Sequence, residues 1–489
     1  MLFQKPRLVI AALRGGAGKT FISLGLAAAW RLNCGLRVVP FKKGPDYIDA
    51  GWLSVAAGRP CYNLDPFLMK PDEMLRSFVR RSNNADGSLI EGNRGLYDGV
   101  DVQGSFSTAE LAKLLRSPVV LVLDATKVTR TAAALVLGCR QLDPDVNIGG
   151  VILNQVAGRR HEGVLRGAIE RYCNVPVLGV VPKGGDNLFP ERHLGLVPHQ
   201  ESENTAEAVT FAASRMNECV DLQALWKLAE TAAPLGWPVC AGEAERKPEP
   251  EARTVIGVVR DSAFQFYYPE NLEALEEKGA RLVEISSFDA RPLPRLDALY
   301  IGGGFPETHL EALSENRVFR ESLRKEIEKG LPVYAECGGL MFLCRAILHG
   351  GKTFPMTGVF PFDVVLEKRP QGHGYTVIEC VNRNPFFPER AVLRGHEFHY
   401  SRIIGSDKSF PFVFHLKKGH GIVAGWDGMW YKNTLACYSH IHVVGNGLWA
   451  EALIRAARSY RKEKSVESLD PNIDPERGLS GTCEYITAI

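Results

Sequence analysis

Residues 8–20 read LVIAALRGGAGKT, an apolar run that leads directly into a glycine-rich loop. Leu8–Leu13 has the composition of a buried strand, and the residues after Thr20 follow a helical pattern. In this context glycines let backbone N–H groups surround phosphates, Lys19 reaches the terminal phosphates, and the Thr20 hydroxyl can bind Mg²⁺. Leu13 stands where the full Walker pattern has a glycine, as in the GGxGKT subgroup of P-loops. The sequence therefore predicts a nucleotide site formed by Gly15, Gly16, Gly18, Lys19 and Thr20.

Apolar runs alternate with helical patterns from residue 7 to residue 215. The runs of Val, Ile and Leu lack polar alternation, which is typical of parallel strands covered on both faces. This alternation predicts a doubly wound α/β domain. Its predicted strands are Leu8–Leu13, Arg37–Pro40, Ser88–Glu91, Val119–Asp124, Gly150–Asn154 and Val177–Val181.

Charged segments follow the second and third predicted strands, at residues 42–49 (KKGPDYID) and 91–99 (EGNRGLYDG). Open α/β sheets bind ligands at the carboxyl ends of their strands. Taken alone, each segment is more often a solvated loop or a helix cap, but their shared position beside a P-loop favours a site. The predicted Mg²⁺ ligands are Thr20, Asp46 and Glu91. Lys42, Lys43 and Arg94 are predicted to contact phosphate or an anionic substrate.

Length and composition predict a two-domain soluble protein. The 489 residues exceed one ordinary core, and the net charge of +2 gives no field for nucleic acid or a membrane. No secretory signal and no long apolar span is present, which predicts a cytoplasmic protein. The 11 cysteines include no CxxC pair. A break rich in proline and charge divides the chain into domains at 5–235 and 254–460, a linker at 236–253 and a flexible tail at 461–489.

A cysteine follows a strand in the C-terminal domain, which begins with a second α/β pattern at residue 254. The apolar run 331–335 ends in Glu336-Cys337-Gly338-Gly339, and a helical pattern follows. Such a strand–turn–helix exposes a nucleophile, and the helix N-terminus is expected to lower the pKa of the Cys337 thiol. The predicted oxyanion hole is formed by backbone N–H groups of Gly303, Gly304 and Gly338.

Two histidine groups could serve this cysteine. The segment 436–442 (ACYSHIH) offers His440 as the base that deprotonates Cys337, with His442 as a structural residue. His396 and His399 form a second group, for which a structural or substrate-binding loop is favoured over a metal site. A cysteine at a strand end is usually a core residue, but the combination of GGGFPE, ECGG and SHIH favours a catalytic one.

In order along the chain, these motifs resemble the signatures of the cobyrinate a,c-diamide synthases. The motifs are GGAGKT, KKGPDYIDA, EGNRGLYDG, GGGFPE, AECGGL, GHEFHYS and SHIH, which span about residues 7–455. The resemblance implies a synthetase domain similar to dethiobiotin synthetase and a class I-type glutamine amidotransferase domain. It also implies ATP, Mg²⁺ and L-glutamine, with amidation of the a and c acetate side chains of a corrinoid.

Residue roles follow from the same resemblance. Cys337 corresponds to the glutaminase nucleophile and His440 to its base. The acid that class I enzymes carry two residues after this histidine is replaced here by His442. The substrate and synthetase site would comprise Lys42, Lys43, Asp46, Tyr47, Asp49, Arg94 and Asp98.

Two departures leave the tetrapyrrole open: Ala50 replaces a usual proline, and Asn93-Arg94 replace a usual Val-Met pair. Sirohaem and nickel-sirohydrochlorin are alternative substrates for the same chemistry. An interpretation from another class is a P-loop switch ATPase with a non-catalytic C-terminal module. A homodimer is also left open.

Overall fold

The structure is a computed structural model that describes residues 2–184, 191–192, 195–236, 254–406 and 410–469. The N-terminal strands are β1 (Leu2–Phe3), β2 (Arg7–Ala12), β3 (Val38–Lys43), β4 (Tyr62–Leu64), β5 (Gly87–Glu91), β6 (Val119–Asp124), β7 (Ile148–Val156), β8 (Val177–Pro182), β9 (Glu191–Arg192), β10 (Gly195–Leu196) and β11 (Leu235–Gly236). The helices between them are α1 (Lys19–Cys34), α2 (Ile48–Ala57), α3 (Pro71–Ser82), α4 (Thr108–Leu114), α5 (Thr131–Leu142), α6 (Arg159–Cys173), α7 (Thr205–Cys219) and α8 (Leu222–Glu230).

A seven-stranded parallel sheet forms the centre of the N-terminal domain, in the order β4-β3-β5-β2-β6-β7-β8. Helices α1, α2 and α7 contribute to the core on one face, and α3, α4, α5 and α6 to the core on the other. This is the predicted doubly wound architecture, which is confirmed. Because β3, β5 and β2 are neighbours, the loops at their carboxyl ends meet at one edge of the sheet.

The C-terminal domain combines a mainly parallel sheet with two further sheets. Its strands are β12 (Thr254–Val259), β13 (Ala280–Ile285), β14 (Ala298–Ile301), β15 (Val333–Glu336), β16 (Ala346–His349), β17 (Lys352–Pro355), β18 (Asp363–Leu366), β19 (Gly372–Cys380), β20 (Val392–His399), β21 (Ser401–Ile404), β22 (Phe414–Lys418), β23 (Trp426–Asp427), β24 (Met429–Tyr431), β25 (Thr434–Cys437) and β26 (His440–Ile441). Its helices are α9 (Pro269–Glu277), α10 (Leu310–Glu315), α11 (Arg317–Glu328), α12 (Gly338–Leu343) and α13 (Leu448–Leu469). The sheets have the orders β13-β12-β14-β15-β25-β24, β17-β16-β18-β21 and β23-β22-β19-β20-β26.

The six predicted strands of the N-terminal domain are present, with small shifts at their ends, and the apolar run 331–335 overlaps β15. The largest shift is at β3, which ends at Lys43 rather than at Pro40. Helix α13 continues to Leu469, so residues 461–469 of the predicted tail are helical. The predicted linker beyond Gly236 and the tail beyond Leu469 lie outside the described residues.

The two domains pack against each other through the segment that contains β4. The Asn63 N–H donates to Glu270 Oε1 (3.0 Å), and the Tyr375 hydroxyl donates to Asp65 Oδ2 (2.8 Å). Phe67 stacks on the Tyr375 ring with centroids 4.2 Å apart. Residues that follow β3 are thereby held against the C-terminal domain. Within the described ranges no helix is long and apolar enough to cross a membrane.

Candidate active site

Cys337 occupies a strained turn between β15 and α12. Its φ is 48° and its ψ is −100°, values that cost a non-glycine residue about 1–3 kcal/mol. The side chain is only 6% exposed, yet it lines a cavity of about 560 Å³ together with His440. A strained strand-to-helix turn of this kind presents a nucleophile to a substrate pocket.

The thiol of Cys337 is held in its neutral form. Burial, and then the charge of Glu307, raises the pKa of the thiol, whereas a hydrogen bond from the Gly338 backbone acts in the opposite direction. The N–H group at the start of α12 thus acts to lower this pKa, as expected, but burial outweighs it. Burial dominates because the thiolate is desolvated, and α12 is only 6 residues long. A base is needed to ionise the thiol.

His440 is fixed by strand pairing and by a carboxylate. Residue 440 pairs with His396 across β26 and β20, and the two rings stack with centroids 4.9 Å apart. Nδ1 of His440 lies 3.3 Å from Glu336 Oε2. The opposite edge of the ring faces Gly303, where a Cβ atom would lie 2.6 Å from Cε1 and 3.3 Å from Nε2. Nε2 is thus the nitrogen on the edge turned away from the carboxylate.

The remaining histidines differ in their surroundings. His442 is fully buried, and its Nε2 lies 3.5 Å from Glu270, outside the cavity that contains Cys337. His396 and His399 both line this cavity. Burial, followed by the charges of His440 and His442, lowers the pKa of His396 well below its usual value. His396 therefore presents a neutral imidazole at physiological pH.

The three glycines predicted for the oxyanion hole surround the cysteine turn in different ways. Gly304 lines the cavity with Cys337, and a Cβ atom on Gly338 would lie 3.1 Å from the Gly304 backbone nitrogen. The Gly303 carbonyl accepts hydrogen bonds from the backbone N–H groups of Gln265 and Phe266. The Gly304 backbone thus lies close to Gly338, the residue after the cysteine, and the missing side chain of Gly303 leaves room for the His440 ring.

The P-loop lies between β2 and α1, with Gly18 as the residue before the helix at φ 92°. The Lys19 ammonium donates to the carbonyl oxygens of Arg14 (3.1 Å) and Arg94 (2.8 Å). Burial, followed by the charge of Lys42, lowers the pKa of Lys19. The Arg14 side chain points elsewhere and pairs with Asp124 at 2.6 Å.

A buried charge cluster lies beside the P-loop. The Lys42 ammonium is 2.6 Å from Asp49 Oδ2 and from Glu91 Oε1, and 3.8 Å from Asp46 Oδ2. The Thr20 hydroxyl donates to Glu91 Oε1 at 2.8 Å and lies 3.3 Å from Asp49. Lys42 is 2% exposed and bound by carboxylates, which differs from its expected contact with phosphate or substrate.

Burial sets the proton affinities of this cluster. Burial, and then the charge of Asp49, raises the pKa of Asp46 to about 7. Burial also raises the pKa of Glu91, although Lys42 acts against it. At Asp49 burial would raise the pKa, but the charge and hydrogen bond of Lys42 prevail and lower it. The cluster thus holds carboxylates of different proton affinity side by side.

A second cavity, of about 480 Å³, lies between the domains. The N-terminal domain contributes Lys43, Asp46, Arg94 and Asp98, which are predicted site residues, together with Asn93. The C-terminal domain contributes His373, Tyr375 and Lys418, which the motifs did not indicate. Their positions depend on the packing of the two domains, for which the sequence carries no local pattern.

The two cavities share part of their walls. Pro45, Asp46, His396 and Phe398 line both of them. Tyr47, predicted for the synthetase site, instead extends into the cavity that contains Cys337. Its ring stacks on Phe266 with centroids 5.0 Å apart and lies 5.4 Å from His440. The loop after β3 therefore contacts both candidate sites.

Comparisons with known proteins assign families to both domains. Residues 8–195 match the CobQ/CobB/MinD/ParA nucleotide binding domain, and residues 255–447 match the CobB/CobQ-like glutamine amidotransferase domain. Cobyrinate a,c-diamide synthase from Magnetococcus marinus is 45% identical over 457 residues, which cover 93% of this chain and 98% of the relative. Proteins of the same name from Archaeoglobus fulgidus and Caldanaerobacter subterraneus are 41% and 40% identical, over 92% and 89% of this chain and 97% and 94% of theirs.

Two solved structures show weaker similarity. A putative GMP synthase subunit from Thermoplasma acidophilum is 20% identical with a TM-score of 0.33, over 44% of this chain and 99% of that one. Chloroplast FtsY from Physcomitrella patens is 21% identical with a TM-score of 0.29, over 42% and 65% of the two chains. These scores are too low to support any conclusion about function.

A P-loop domain joined to a domain with a cysteine at a strand-to-helix turn defines a nucleotide-dependent glutamine amidotransferase of the ligase class. The chain belongs to the cobyrinate a,c-diamide synthase family.

Proposed function

We propose that this enzyme amidates the a and c acetate side chains of a corrinoid, with ATP to activate each carboxylate and glutamine as the nitrogen source. The observation that carries the proposal is the shared wall between the cavity of Cys337 and His440 and the cavity of Asp46 and Arg94. A nitrogen donor and a carboxylate acceptor can thereby react within one chain.

Activation of the carboxylate would proceed through an acyl phosphate. A carboxylate oxygen attacks the terminal phosphorus of ATP, and ADP leaves with the bridging oxygen. Backbone N–H groups of the P-loop and the Lys19 ammonium stabilise the negative charge of the phosphates. Among the residues that the structure describes, the hydrogen-bond partners of the Lys19 ammonium are the carbonyl oxygens of Arg14 and Arg94, so its charge is available for this role.

The residues beside the P-loop fit a magnesium ion. Thr20 and Glu91 would hold it, with Asp46 and Asp49 adjacent, since Mg²⁺ takes hydroxyl, carboxylate and phosphate oxygens. Glu91 Oε2 is buried and receives no hydrogen bond from any described residue. The bound ion would supply positive charge next to the transferring phosphoryl group.

Ammonia would come from glutamine at Cys337. His440 takes the thiol proton, the sulfur attacks the side-chain amide, and NH₃ leaves as a glutamyl thioester forms. Water then hydrolyses the thioester with help from His440 and releases glutamate. NH₃ attacks the acyl phosphate, inorganic phosphate leaves, and the nitrogen loses a proton to give the amide.

Passage of ammonia through the shared wall would protect it from solvent. A neutral His396 imidazole, which results from burial, does not donate a proton to NH₃ as an imidazolium would. Phe398 and Pro45 add apolar surface to the same wall. Unprotonated ammonia is the reactive form, so these surroundings favour the second step.

The second cavity suits an acidic macrocycle. Lys43, Arg94 and Lys418 offer cations from both domains, and Tyr375 and Phe398 offer aromatic surface. Sirohaem and nickel-sirohydrochlorin carry acetate arms as well and remain alternatives, because the activation chemistry does not distinguish the macrocycles. A switch ATPase would need no cavity with both a cysteine and a histidine, which favours the ligase.

A panel assay tests the proposal. The purified protein is incubated with ATP, Mg²⁺, glutamine and, separately, a corrinoid polycarboxylate, sirohaem and nickel-sirohydrochlorin. Mass spectrometry should show acid-to-amide conversion with the corrinoid, with ADP and glutamate formed in step with the amide. Conversion of another macrocycle alone would change the assigned substrate, and ATP hydrolysis without any amide would contradict the ligase activity.

A further inference from the structure

Glu336, the residue before Cys337, is buried, and both of its carboxylate oxygens contact the segment that contains His440. Oε1 accepts the backbone N–H of Ile441 at 3.1 Å. Oε2 lies 3.3 Å from His440 Nδ1 and accepts the Tyr300 hydroxyl at 3.1 Å. The side chain is 1% exposed, so water does not compete for these contacts.

This arrangement determines which nitrogen of His440 carries the proton. A carboxylate only accepts hydrogen bonds, so Nδ1 must be the protonated nitrogen and Nε2 must hold the lone pair. Nε2 lies on the edge of the ring near Gly303, and His440 itself lines the cavity that contains Cys337. A base with a free Nε2 can take the thiol proton, and the carboxylate then stabilises the imidazolium that forms.

We propose that Glu336 is the positioning residue for His440, so that Glu336, Cys337 and His440 act as a triad whose acid directly precedes its nucleophile. Residue 442, two positions after the base, is a histidine that pairs with Glu270 and has no contact with His440 among the described hydrogen bonds. The acid therefore comes from the end of β15 rather than from the segment of the base. This inference rests on the proposed glutaminase role of Cys337 and His440.

A purely structural role for Glu336 would not explain why a charged carboxylate is buried at this position. The Ile441 N–H could be satisfied by a neutral acceptor, and Tyr300 needs only one partner. Neither contact requires a charged group at 1% exposure, where a carboxylate is costly to bury. The imidazolium that forms at His440 during glutamine hydrolysis would compensate this charge.

Glu336→Gln tests the proposal with little change of shape. If the Gln amide nitrogen faces His440, it donates to Nδ1, and the His440 proton moves to Nε2. If it faces Ile441, two N–H groups are brought together. The base is therefore impaired in either orientation of the amide. We expect kcat for glutamine hydrolysis to fall about 100-fold or more, with KM for glutamine changed by less than about threefold. Amidation driven by added ammonium should remain, because the synthetase site does not use His440.

Glu270→Gln is the matched control. Glu270 is an equally buried carboxylate beside a histidine of the same segment, at 3.5 Å from His442. It should change glutamine hydrolysis by less than about threefold. An E336Q kcat within threefold of the parent would overturn the inference, as would equal losses in both variants, or loss of the ammonium-driven activity together with glutamine hydrolysis. A parent enzyme that releases no glutamate from glutamine would instead contradict the proposed function itself.

Discussion

At the scale of single residues, the reactivity of Cys337 is controlled by its burial. The turn presents the thiol to the cavity, but desolvation raises the pKa and leaves the thiol neutral in the resting protein. His440 must therefore remove the proton as glutamine reacts, rather than meet a thiolate that already exists. Such a thiol is protected from oxidation and from other electrophiles while no substrate is bound.

Alkylation at varied pH tests this protonation state. A thiol with a raised pKa is mostly protonated across the neutral range, so the thiolate fraction grows by about tenfold for each pH unit. We expect the rate at which iodoacetamide inactivates glutamine hydrolysis to rise steadily from pH 6 to pH 9 without a plateau. Cys337→Ala provides the background labelling of other cysteines, such as exposed Cys34. A plateau below about pH 7 would show a lowered pKa and contradict the burial argument.

A second prediction at the scale of single residues concerns Gly303, which lies next to the His440 ring. A Cβ atom there would lie 2.6 Å from His440 Cε1, so Gly303→Ala should displace the imidazole from Glu336 and from the thiol. We expect glutamine hydrolysis to fall by about 10- to 100-fold while ammonium-driven amidation is retained. Gly138→Ala, in α5, should leave both activities unchanged, because the added methyl group meets no atom of the described residues within 4 Å apart from those of its own helix backbone and chain neighbours. Equal rates for G303A and the parent would show that the ring is not confined there.

At the scale of structural elements, the loop between β3 and α2 joins the two chemistries. Asp46 lines both cavities, and the next residue, Tyr47, packs against Phe266 and His440. Asn63 holds this loop by donating to the carbonyl oxygens of Gly44 and Asp46, and its own N–H donates to Glu270 of the C-terminal domain. A change at the phosphate end of the loop can therefore reach the glutaminase cavity.

Tyr47→Ala should uncouple glutamine hydrolysis from amidation. Loss of the ring opens the wall beside His440 and removes a contact through which the loop senses the synthetase site. We expect the ratio of glutamate released to amide formed to rise from about one to at least three, with ammonium-driven amidation preserved. Tyr172→Ala, on α6 and 46% exposed, is the control and should keep the parent ratio. An unchanged ratio in Y47A would contradict a coupling role for this loop.

The elements that could be predicted from sequence are those with a strong local pattern. Strands such as β6 are runs of Val and Leu buried on both faces, and glycines follow both the P-loop strand and β15. The strands of the antiparallel sheet were not predicted, because β19 and β20 mix polar and charged residues with apolar ones. The contact between Glu336 and His440 was not predicted either. It depends on the pairing of β26 with β20, which the mixed sequence of β20 does not indicate.

At the scale of the whole molecule, the two cavities lie next to each other at the domain interface and share part of their walls. Pro45 and Asp46 come from the N-terminal domain, and His396 and Phe398 come from the antiparallel sheet of the C-terminal domain. The wall between the cavities exists only when the domains are packed together. Packing by Asn63, Asp65 and Phe67 is therefore a condition for transfer as well as for stability.

Isotope competition tests whether nitrogen passes through this wall. The enzyme is supplied with ATP, its tetrapyrrole and glutamine labelled with ¹⁵N in the side-chain amide, together with a tenfold excess of unlabelled ammonium. If NH₃ moves internally, it reaches the acyl phosphate before it mixes with bulk ammonium, so most of the amide formed should carry ¹⁵N. The Cys337→Ala variant should incorporate only unlabelled nitrogen under the same conditions, which shows that the acyl phosphate accepts external ammonia. If the ¹⁵N fraction in the parent product only equals the ¹⁵N fraction of the bulk ammonium, then ammonia escapes to solvent. The two cavities would then share a wall without passing ammonia between them.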